Sequence, residues 1–328
     1  MKKLLFALAM LVALDVRAAG TFVAVSVETG STFAASLASG TTWTASASTA
    51  ARTVNYIAYG NGVFCAVGQG GTTHSESSLD NGVTWTDNGS MVGMGAYAIA
   101  YGAGVFVIGG SAAQVYTSPD CVTWTSHSYA FSTTILAIVW DPINALFIAG
   151  GATWDTATSP DGITWTTHSA PLYVYTNYAA SCAGTTMTGT TGSGAGMNKS
   201  TTGLAWTHFS NTGNDYHVGI ACSDALHFVI ISSSSTAYAN AVYTTDGGTT
   251  WNNATGWGSF YASSIAWNGS EYVATAPSTT AFAHSANGAA WTVESTGFVS
   301  LAAPALAASV GGAAPAKPAC MLGGGFLC

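Results

Sequence analysis

The stretch Ser159-Pro-Asp-Gly-Ile-Thr-Trp165 is one copy of a phrase that recurs along the chain. A second clear copy is Ser118-Pro-Asp-Cys-Val-Thr-Trp124, and more divergent copies follow towards the C-terminus. Six copies carry a glycine three residues before the tryptophan, often preceded by Asn or Asp, and this pair suits the positive-φ positions of a tight turn. Each phrase therefore predicts a strand, a turn and a second strand.

The tryptophans that end these phrases set the period of the repeat. Their intervals are 42, 39, 41, 41, 45 and 40 residues, and two further short strands can be read upstream of each phrase. A period of about 40 residues with four strands per repeat is typical of a propeller blade. The sequence predicts an all-β, seven-bladed β-propeller with four-stranded antiparallel blades, in which the repeated tryptophans pack between blades. These tryptophans are Trp43, Trp85, Trp124, Trp165, Trp206, Trp251 and Trp291.

Three segments are predicted along the chain. Residues 1–18 have two lysines followed by an apolar stretch, which is typical of a secretory leader, or alternatively of an uncleaved hydrophobic arm. Residues 19–302 are predicted to form the propeller. Its first repeat lacks an inner strand, and residues 298–302 have the pattern to supply it and close the ring. Residues 303–328 are rich in Ala, Gly and Pro and are predicted to be a tail.

The charge of the chain and the length of its apolar stretch argue against nucleic acid as a partner and against a membrane span. Only 6% of the 328 residues are charged, and the formal net charge is -8. Nucleic-acid binding needs clustered Lys and Arg, so it is not expected. The apolar stretch of the leader is too short for a stable membrane-spanning helix, so no membrane span is predicted in the mature protein.

The six cysteines are an even number and fit an oxidising compartment. Cys182 and Cys222 occupy matching places in consecutive repeats, so they could form an inter-blade disulfide or remain two buried thiols. Cys320 and Cys328 could form a small loop or an intermolecular link. The other two cysteines are assigned to unrelated positions. Cys65 is expected in the core, and Cys121 is expected to replace a turn glycine.

The repeated phrases resemble the Asp-box (BNR) repeats of sialidase-like and related propellers over residues 21–300. Similar repeats are associated with bacterial surface proteins and with phage tail or virion proteins. The resemblance implies the fold strongly and the function weakly. It also implies three arginines that bind the substrate carboxylate in sialidases, but only Arg17 and Arg52 are present.

Catalytic and metal-binding chemistry is therefore not expected. The chain has no His-x-x-x-His or Cys-x-x-Cys spacing, no nucleophile elbow and no phosphate loop, so no metal and no cofactor are predicted. The Asp residues of the phrases repeat around the ring, as a structural device would. We accordingly expect a protein that is not an enzyme.

The segments that join one repeat to the next carry aromatic residues that do not repeat. In a propeller such connections emerge around the mouth of the central channel. Aromatic rings beside Asn, Ser and Thr suit stacking on sugar rings, although individual rings could instead fill gaps between blades. The candidate ligand-binding residues are Tyr129, Phe131, Tyr173, Tyr175, Tyr216, His217, Trp257 and Tyr261.

These observations predict a non-enzymatic binding or structural propeller that is extracellular. The first hypothesis is a phage virion component, such as a tail, fibre or decoration protein, whose partners are other virion proteins and which could be a homo-oligomer within the particle. The alternative is a secreted or cell-surface carbohydrate-binding propeller whose partners are surface glycans. A hydrolase with a site unlike that of sialidases is a third hypothesis.

Overall fold

The protein is described here from a computed structural model. The structure describes residues 20–25, 33–37, 43–47, 54–68, 73–91, 95–111, 114–128, 134–151, 156–168, 176–189, 196–209, 217–232, 241–258, 260–276, 281–295 and 305–308. All regular elements in these ranges are β-strands. Within the same ranges there is no helix with the length and hydrophobicity needed to cross a membrane.

Six blades, named A to F, are each built from four consecutive antiparallel strands, β4 to β27. Blade A comprises β4 (Tyr56–Gly60), β5 (Val63–Gly68), β6 (Thr73–Ser78) and β7 (Thr86–Met91). Blade B comprises β8 (Ala96–Gly102), β9 (Val105–Gly110), β10 (Gln114–Ser118) and β11 (Thr125–Ser128). Blade C comprises β12 (Ile135–Asp141), β13 (Leu146–Gly151), β14 (Thr156–Ser159) and β15 (Thr166–His168).

The other three blades follow the same plan. Blade D comprises β16 (Tyr178–Cys182), β17 (Thr185–Gly189), β18 (Met197–Ser200) and β19 (Thr207–Phe209). Blade E comprises β20 (His217–Cys222), β21 (Phe228–Ser232), β22 (Ala241–Thr244) and β23 (Asn252–Asn253). Blade F comprises β24 (Ser264–Trp267), β25 (Tyr272–Thr275), β26 (Ala281–Ser285) and β27 (Thr292–Ser295).

A seventh four-stranded sheet, here called the closing sheet, joins the two ends of the chain. It contains β1 (Phe22–Val25), β2 (Phe33–Leu37), β3 (Trp43–Ala47) and β28 (Ala305–Ala308), in the order β28-β1-β2-β3. Strand β28 pairs antiparallel with β1 and contacts both β4 and β24. The innermost strands of successive sheets therefore form a closed cycle around a central axis.

The structure corrects the predicted number of blades and the predicted closing strand. The sequence predicted seven blades with the first completed by residues 298–302, whereas the structure has six continuous blades and a composite seventh sheet. The strand that pairs with β1 is β28, which lies in the segment predicted to be a tail. Residues 298–302 and the leader, residues 1–18, lie outside the described residues. Pairing with the free edge of β1 places a strand in an Ala-rich segment whose own β-propensity is low.

The turns of the repeated phrases, called box turns below, are held by side-chain hydrogen bonds. In blade C, Asp161 Oδ1 accepts from the backbone N–H of Ile163 at 2.8 Å and of Thr164 at 2.7 Å. Trp165 Nε1 donates to the Gly162 carbonyl at 3.0 Å. Because the acceptors face the turn backbone, these Asp residues stabilise the turn, as the sequence predicted.

The box-turn glycines of blades C and F pack closely against the preceding blade. Gly162 has φ +75°, and a Cβ there would lie 2.5 Å from Val107 Cγ2 of the preceding blade. At the equivalent Gly288, a Cβ would lie 2.3 Å from Val229 Cγ2. A larger residue would have to displace a packed side chain, so glycine is needed for both its backbone angle and its size.

Two disulfides link adjacent blades. Cys182 and Cys222 are bonded with their Cα atoms 6.1 Å apart, which selects the disulfide from the two alternatives that the sequence left open. Cys65 and Cys121 are bonded with their Cα atoms 5.7 Å apart, so the interpretation of these two as unrelated residues was wrong. Cys121 stands where other box turns have glycine, and the disulfide replaces the contact that the glycine makes elsewhere. Cys320 and Cys328 lie outside the described residues.

The repeated tryptophans lie between the sheets, as predicted. Trp43, Trp85 and Trp291 are buried, and the other four are partly buried. In five box turns the indole Nε1 donates to the carbonyl three residues earlier. The large fully buried side chains of the second strands, such as Phe64, Phe106 and Phe147, complete the packing.

Candidate binding site at the channel mouth

The first residues of the inner strands surround a cavity at one end of the central channel. Its volume is about 200 Å³, and it is lined by residues from β4, β8, β12, β16 and β24. Pockets for drug-sized ligands usually measure about 300–1,000 Å³, so this cavity suits one small group, such as a single ring. The lining residues that carry the chemistry are Tyr56, Tyr97, Leu136, Asn177, Tyr178 and Ser264.

Irregular strand pairing helps to position two of these side chains. The pairing of β8 with β9 shifts between Ala96 and Ala98, and the pairing of β12 with β13 shifts between Ile135 and Ala137. Tyr97 and Leu136 are thus the extra residues of two β-bulges. Bulges re-aim a side chain relative to the regular alternation, and both residues line the cavity.

Three tyrosines give the mouth its polar character. Burial raises the pKa of Tyr56, and the neighbouring Tyr97 phenol raises it further. Burial also raises the pKa of Tyr178. The phenols of Tyr56 and Tyr178 consequently stay protonated at neutral pH, where each can donate and accept hydrogen bonds.

The described residues of the lining include no charged side chain. Their hydrogen-bonding groups are phenols, one amide and one hydroxyl, set among apolar residues such as Ile57 and Ile99. These described residues include no pair of carboxylates of the kind that glycoside hydrolysis uses. No group of three or more His, Cys, Asp or Glu in the described ranges has a geometry that would hold a metal ion.

Only some of the eight residues predicted for ligand binding fall in the described ranges. Three of the eight fall in the described ranges: His217, Trp257 and Tyr261. The other five, which lie outside those ranges, are Tyr129, Phe131, Tyr173, Tyr175 and Tyr216. In the sequence, Tyr175 precedes the mouth residue Asn177 by two positions, and Tyr216 immediately precedes β20.

Two of the described candidates do not present a ring to solvent. Trp257 is 2% exposed, donates from Nε1 to the Phe260 carbonyl at 2.9 Å, and packs edge-on against Trp291. His217 is fully buried at the start of β20, with its ring 6.4 Å from that of Tyr178. These two rings fill gaps in the packing, which is the alternative that the sequence left open for individual rings.

Tyr261 is 42% exposed, but it lies in a separate apolar hollow of about 380 Å³. The walls of this hollow include Gly256, Phe260, Ala281 and Val293. The sequence did not predict the mouth residues Tyr56, Tyr97 and Tyr178, because they belong to strands that read as blade core. Their position at the start of each inner strand was the signal that could have identified them.

A cluster of titratable side chains lies in blade F, away from the mouth. His284 Nδ1 is 3.6 Å from Glu271 Oε2, and its Nε2 is 3.4 Å from Glu294 Oε1. Burial raises the pKa of Glu271, although the nearby His284 opposes this effect. The cluster does not line the cavity, and we assign it no part in the candidate site.

Comparison with known proteins identifies the fold and no family. No family model and no curated protein matches the chain. Among solved structures, YCF48 bound to D1 peptide matches with a TM-score of 0.60 at 12% identity, covering 75% of this chain and 82% of that one. The WD40 β-propeller domain of Doa1 matches with a TM-score of 0.57 at 14% identity, covering 76% and 84%.

A third similar structure is a GH74 enzyme of Niastella koreensis. It matches with a TM-score of 0.60 at 16% identity and covers 84% of this chain but only 54% of that one. The chain thus spans about half the length of this enzyme. At such identities the likeness shows the β-propeller fold alone, and function has to be argued from the site.

Proposed function

We propose that this protein is a non-enzymatic binding propeller, and that it binds a neutral, hydroxyl-bearing group, such as one sugar residue of a surface glycan, at the channel mouth. The observation that carries this proposal is the described part of the lining, in which uncharged tyrosine rings and hydrogen-bonding groups surround a cavity of about 200 Å³. A charged ligand would lose its hydration there without gaining an ionic partner.

The chemistry of the lining favours a sugar over a purely apolar group. Tyrosine rings offer a face for stacking on the C–H groups of a sugar ring, while phenol, amide and hydroxyl groups match its hydroxyls.

Two features support action outside the cytoplasm. Residues 1–18 resemble a secretory leader, and two disulfides join adjacent blades. Disulfides persist in oxidising environments and are rare in the cytosol. We therefore favour a secreted or cell-surface module.

The virion component remains the other setting for such a propeller, although none of the similar structures named above is a virion protein. Intact mass spectrometry and light scattering of the native protein separate the two. A chain that begins at Ala19 and is monomeric supports the secreted module, whereas an intact Met1 within a large particle contradicts it.

The binding proposal is tested on an array of neutral and acidic glycans, followed by calorimetry on the neutral glycans that bind. Tyr97→Phe removes one hydroxyl and keeps the ring, so we expect affinity to fall about three- to tenfold, which corresponds to one hydrogen bond. Tyr97→Ala also removes the ring and should reduce binding further.

Tyr261→Ala is the matched control, because this exposed tyrosine lies in the separate hollow. We expect it to bind as the wild type does. A loss of binding in Tyr261→Ala with no loss in Tyr97→Ala would place the site elsewhere. Hydrolysis of any bound glycan would contradict the non-enzymatic proposal and favour the glycoside hydrolase hypothesis.

A further inference from the structure

In the described ranges, the end of the molecule opposite the channel mouth is formed by turns, together with Gly20 before β1 and the end of β28 at Ala308. In an antiparallel four-stranded blade, the turn between the first and second strands and the turn between the third and fourth strands lie at the same end. All box turns are of the second kind, so they gather with the first kind of turn on one surface, here called the box-turn face.

This face exposes large apolar side chains at repeated positions. The residue after the turn glycine, or after Cys121, is Val83 in blade A, Val122 in blade B, Ile163 in blade C and Leu204 in blade D, and each is about half exposed. Of the nine exposed large apolar residues in the described ranges, seven lie on this face. The other three members are Leu79, Ile143 and Leu226.

Folding does not require large apolar residues at these positions. Blade E has Thr249 and blade F has Ala289 at the same place in the box turn, and both turns form the same hydrogen bonds. Isolated apolar residues on a surface are ordinary, but a set repeated on one face marks an interaction surface.

The same turns carry negative charge. The hydrogen bonds that Asp80 accepts from Thr84 hold the pKa of this carboxyl below its usual range, and the bonds from Thr250 do the same for Asp246. The carboxylates are therefore ionised at neutral pH. Asp120, Asp161 and Asp224 are further carboxylates of this face.

Positive charge on the described part of this face is small. Lys199 is the one Lys or Arg in the described ranges, and its Nζ donates to the Gly247 carbonyl in a box turn. An apolar surface with fixed carboxylates is complementary to a surface that combines apolar side chains with Lys or Arg. It repels anionic lipid and a second copy of the same face.

We propose that the box-turn face is a docking surface for a basic, amphipathic protein segment. Together with the proposed function, this gives the protein two binding surfaces at opposite ends: the channel mouth for a neutral ligand and the box-turn face for a cationic polypeptide. Apolar contacts with the repeated Val, Ile and Leu residues supply affinity, while the Asp carboxylates select the sign of the partner's charge.

The test uses fluorescent 15-residue peptides as probes and anisotropy at low and high salt as the readout. The peptides alternate Lys and Leu, Glu and Leu, or Lys and Ser. We expect the Lys/Leu peptide to bind at least tenfold more tightly than either of the others, and its affinity to fall at high salt. Equal binding of the Lys/Ser peptide would overturn the apolar part of the proposal, and equal binding of the Glu/Leu peptide would overturn the electrostatic part.

Variants of the face separate the two contributions. Val122→Ser, Ile163→Ser and Leu204→Ser together should weaken the Lys/Leu peptide at least tenfold. Asp120→Asn, Asp161→Asn and Asp246→Asn together should clearly reduce the salt dependence, because three carboxylates lose their charge while Asn keeps the acceptor that the turn requires. Tyr261→Ser, which changes an exposed residue three positions before β24 and so near the other end, should bind as the wild type does.

Other occupants give distinct results that would overturn the proposal. Dimers in light scattering that the triple Ser variant dissociates would show that a second copy covers the face. Cosedimentation with zwitterionic phosphatidylcholine vesicles that the same variant abolishes would show a lipid surface. Unchanged affinity for the Lys/Leu peptide in both triple variants would place its binding elsewhere on the molecule.

Discussion

At the scale of single residues, the box turn depends on one side-chain oxygen and tolerates several residues that supply it. Asp161 Oδ1 accepts two turn N–H bonds, and in blade F Asn287 Oδ1 accepts the equivalent bonds at 2.9 and 3.2 Å. In blade D, Thr202 Oγ1 accepts them at 3.2 and 3.3 Å. The position requires a hydrogen-bond acceptor, and the negative charge is an additional property.

This distinction predicts how Asp161 variants behave. Asp161→Ala leaves two turn N–H groups without their acceptor, and we expect it to lower the free energy of unfolding by about 1 kcal/mol. Asp161→Asn keeps the acceptor and should lose much less. Urea unfolding of both variants and the wild type at pH 7 measures the difference.

Repeating the measurement at lower pH separates charge from geometry. Burial pushes the pKa of Asp161 upwards, but the bonds from Thr164, Ile163 and Ser159 together outweigh it and hold the pKa below its usual range. The stabilisation is therefore complete above the unfolded value of about 3.9 and is lost as the pH falls through the lower folded value. The advantage of the wild type over Asp161→Asn should begin to fall below about pH 4 and disappear at lower pH. A constant difference between the two from pH 7 to pH 2.5 would contradict this prediction.

At the scale of elements, the sequence predicted what is local and missed what depends on pairing between distant strands. The turn at Asp161-Gly162 is visible because its signals lie within a few residues of each other. The bulge that turns Tyr97 into the channel depends on how β8 pairs with β9, and nothing within β8 indicates it. None of the eight residues predicted for ligand binding is among the described residues that line the cavity, so the mouth residues had to be identified from the structure.

The two disulfides show the same contrast. The sequence offered a disulfide between Cys182 and Cys222 as one of two alternatives, because they occupy equivalent positions in consecutive repeats. Cys65 and Cys121 occupy different positions, one in a second strand and one in a box turn, 56 residues apart. Their proximity follows from the contact between a turn glycine and the second strand of the preceding blade, as in the contact between Gly162 and Val107.

The Cys65–Cys121 disulfide can accordingly be replaced by the contact that other blades use. The double variant Cys65→Val with Cys121→Gly restores this packing and removes only the cross-link, so we expect the free energy of unfolding to fall by about 2–4 kcal/mol. Guanidinium unfolding monitored by tryptophan fluorescence measures the change.

The double variant Cys65→Ser with Cys121→Ser is the comparison, because it also loses the apolar contact and the turn glycine. It should be less stable than the variant that carries Val and Gly. If the two double variants unfold at the same denaturant concentration, the contact between the turn residue and the second strand contributes nothing measurable, and the equivalence between the blades is refuted.

At the scale of the whole molecule, stability depends on joining the two ends of the chain. Strand β28 gives β1 its second neighbour, and the Asn268 side chain donates to the Gly20 carbonyl at 2.8 Å, which ties the N-terminal end to blade F. Without β28, β1 would present an open edge and the inner strands β4 and β24 would lose the strand between them. Exposed strand edges promote aggregation.

Two C-terminal truncations test which segment closes the ring. Deletion of residues 309–328 keeps β28, and we expect the melting temperature to stay within a few degrees of the full chain. Deletion of residues 303–328 removes β28 but keeps residues 298–302, and we expect a lower melting temperature, with self-association through the edge of β1. Calorimetry and light scattering on both proteins check this. Equal stability of the two truncated chains would show that β28 is dispensable, and would favour residues 298–302 as the closing strand, since those residues are retained in both.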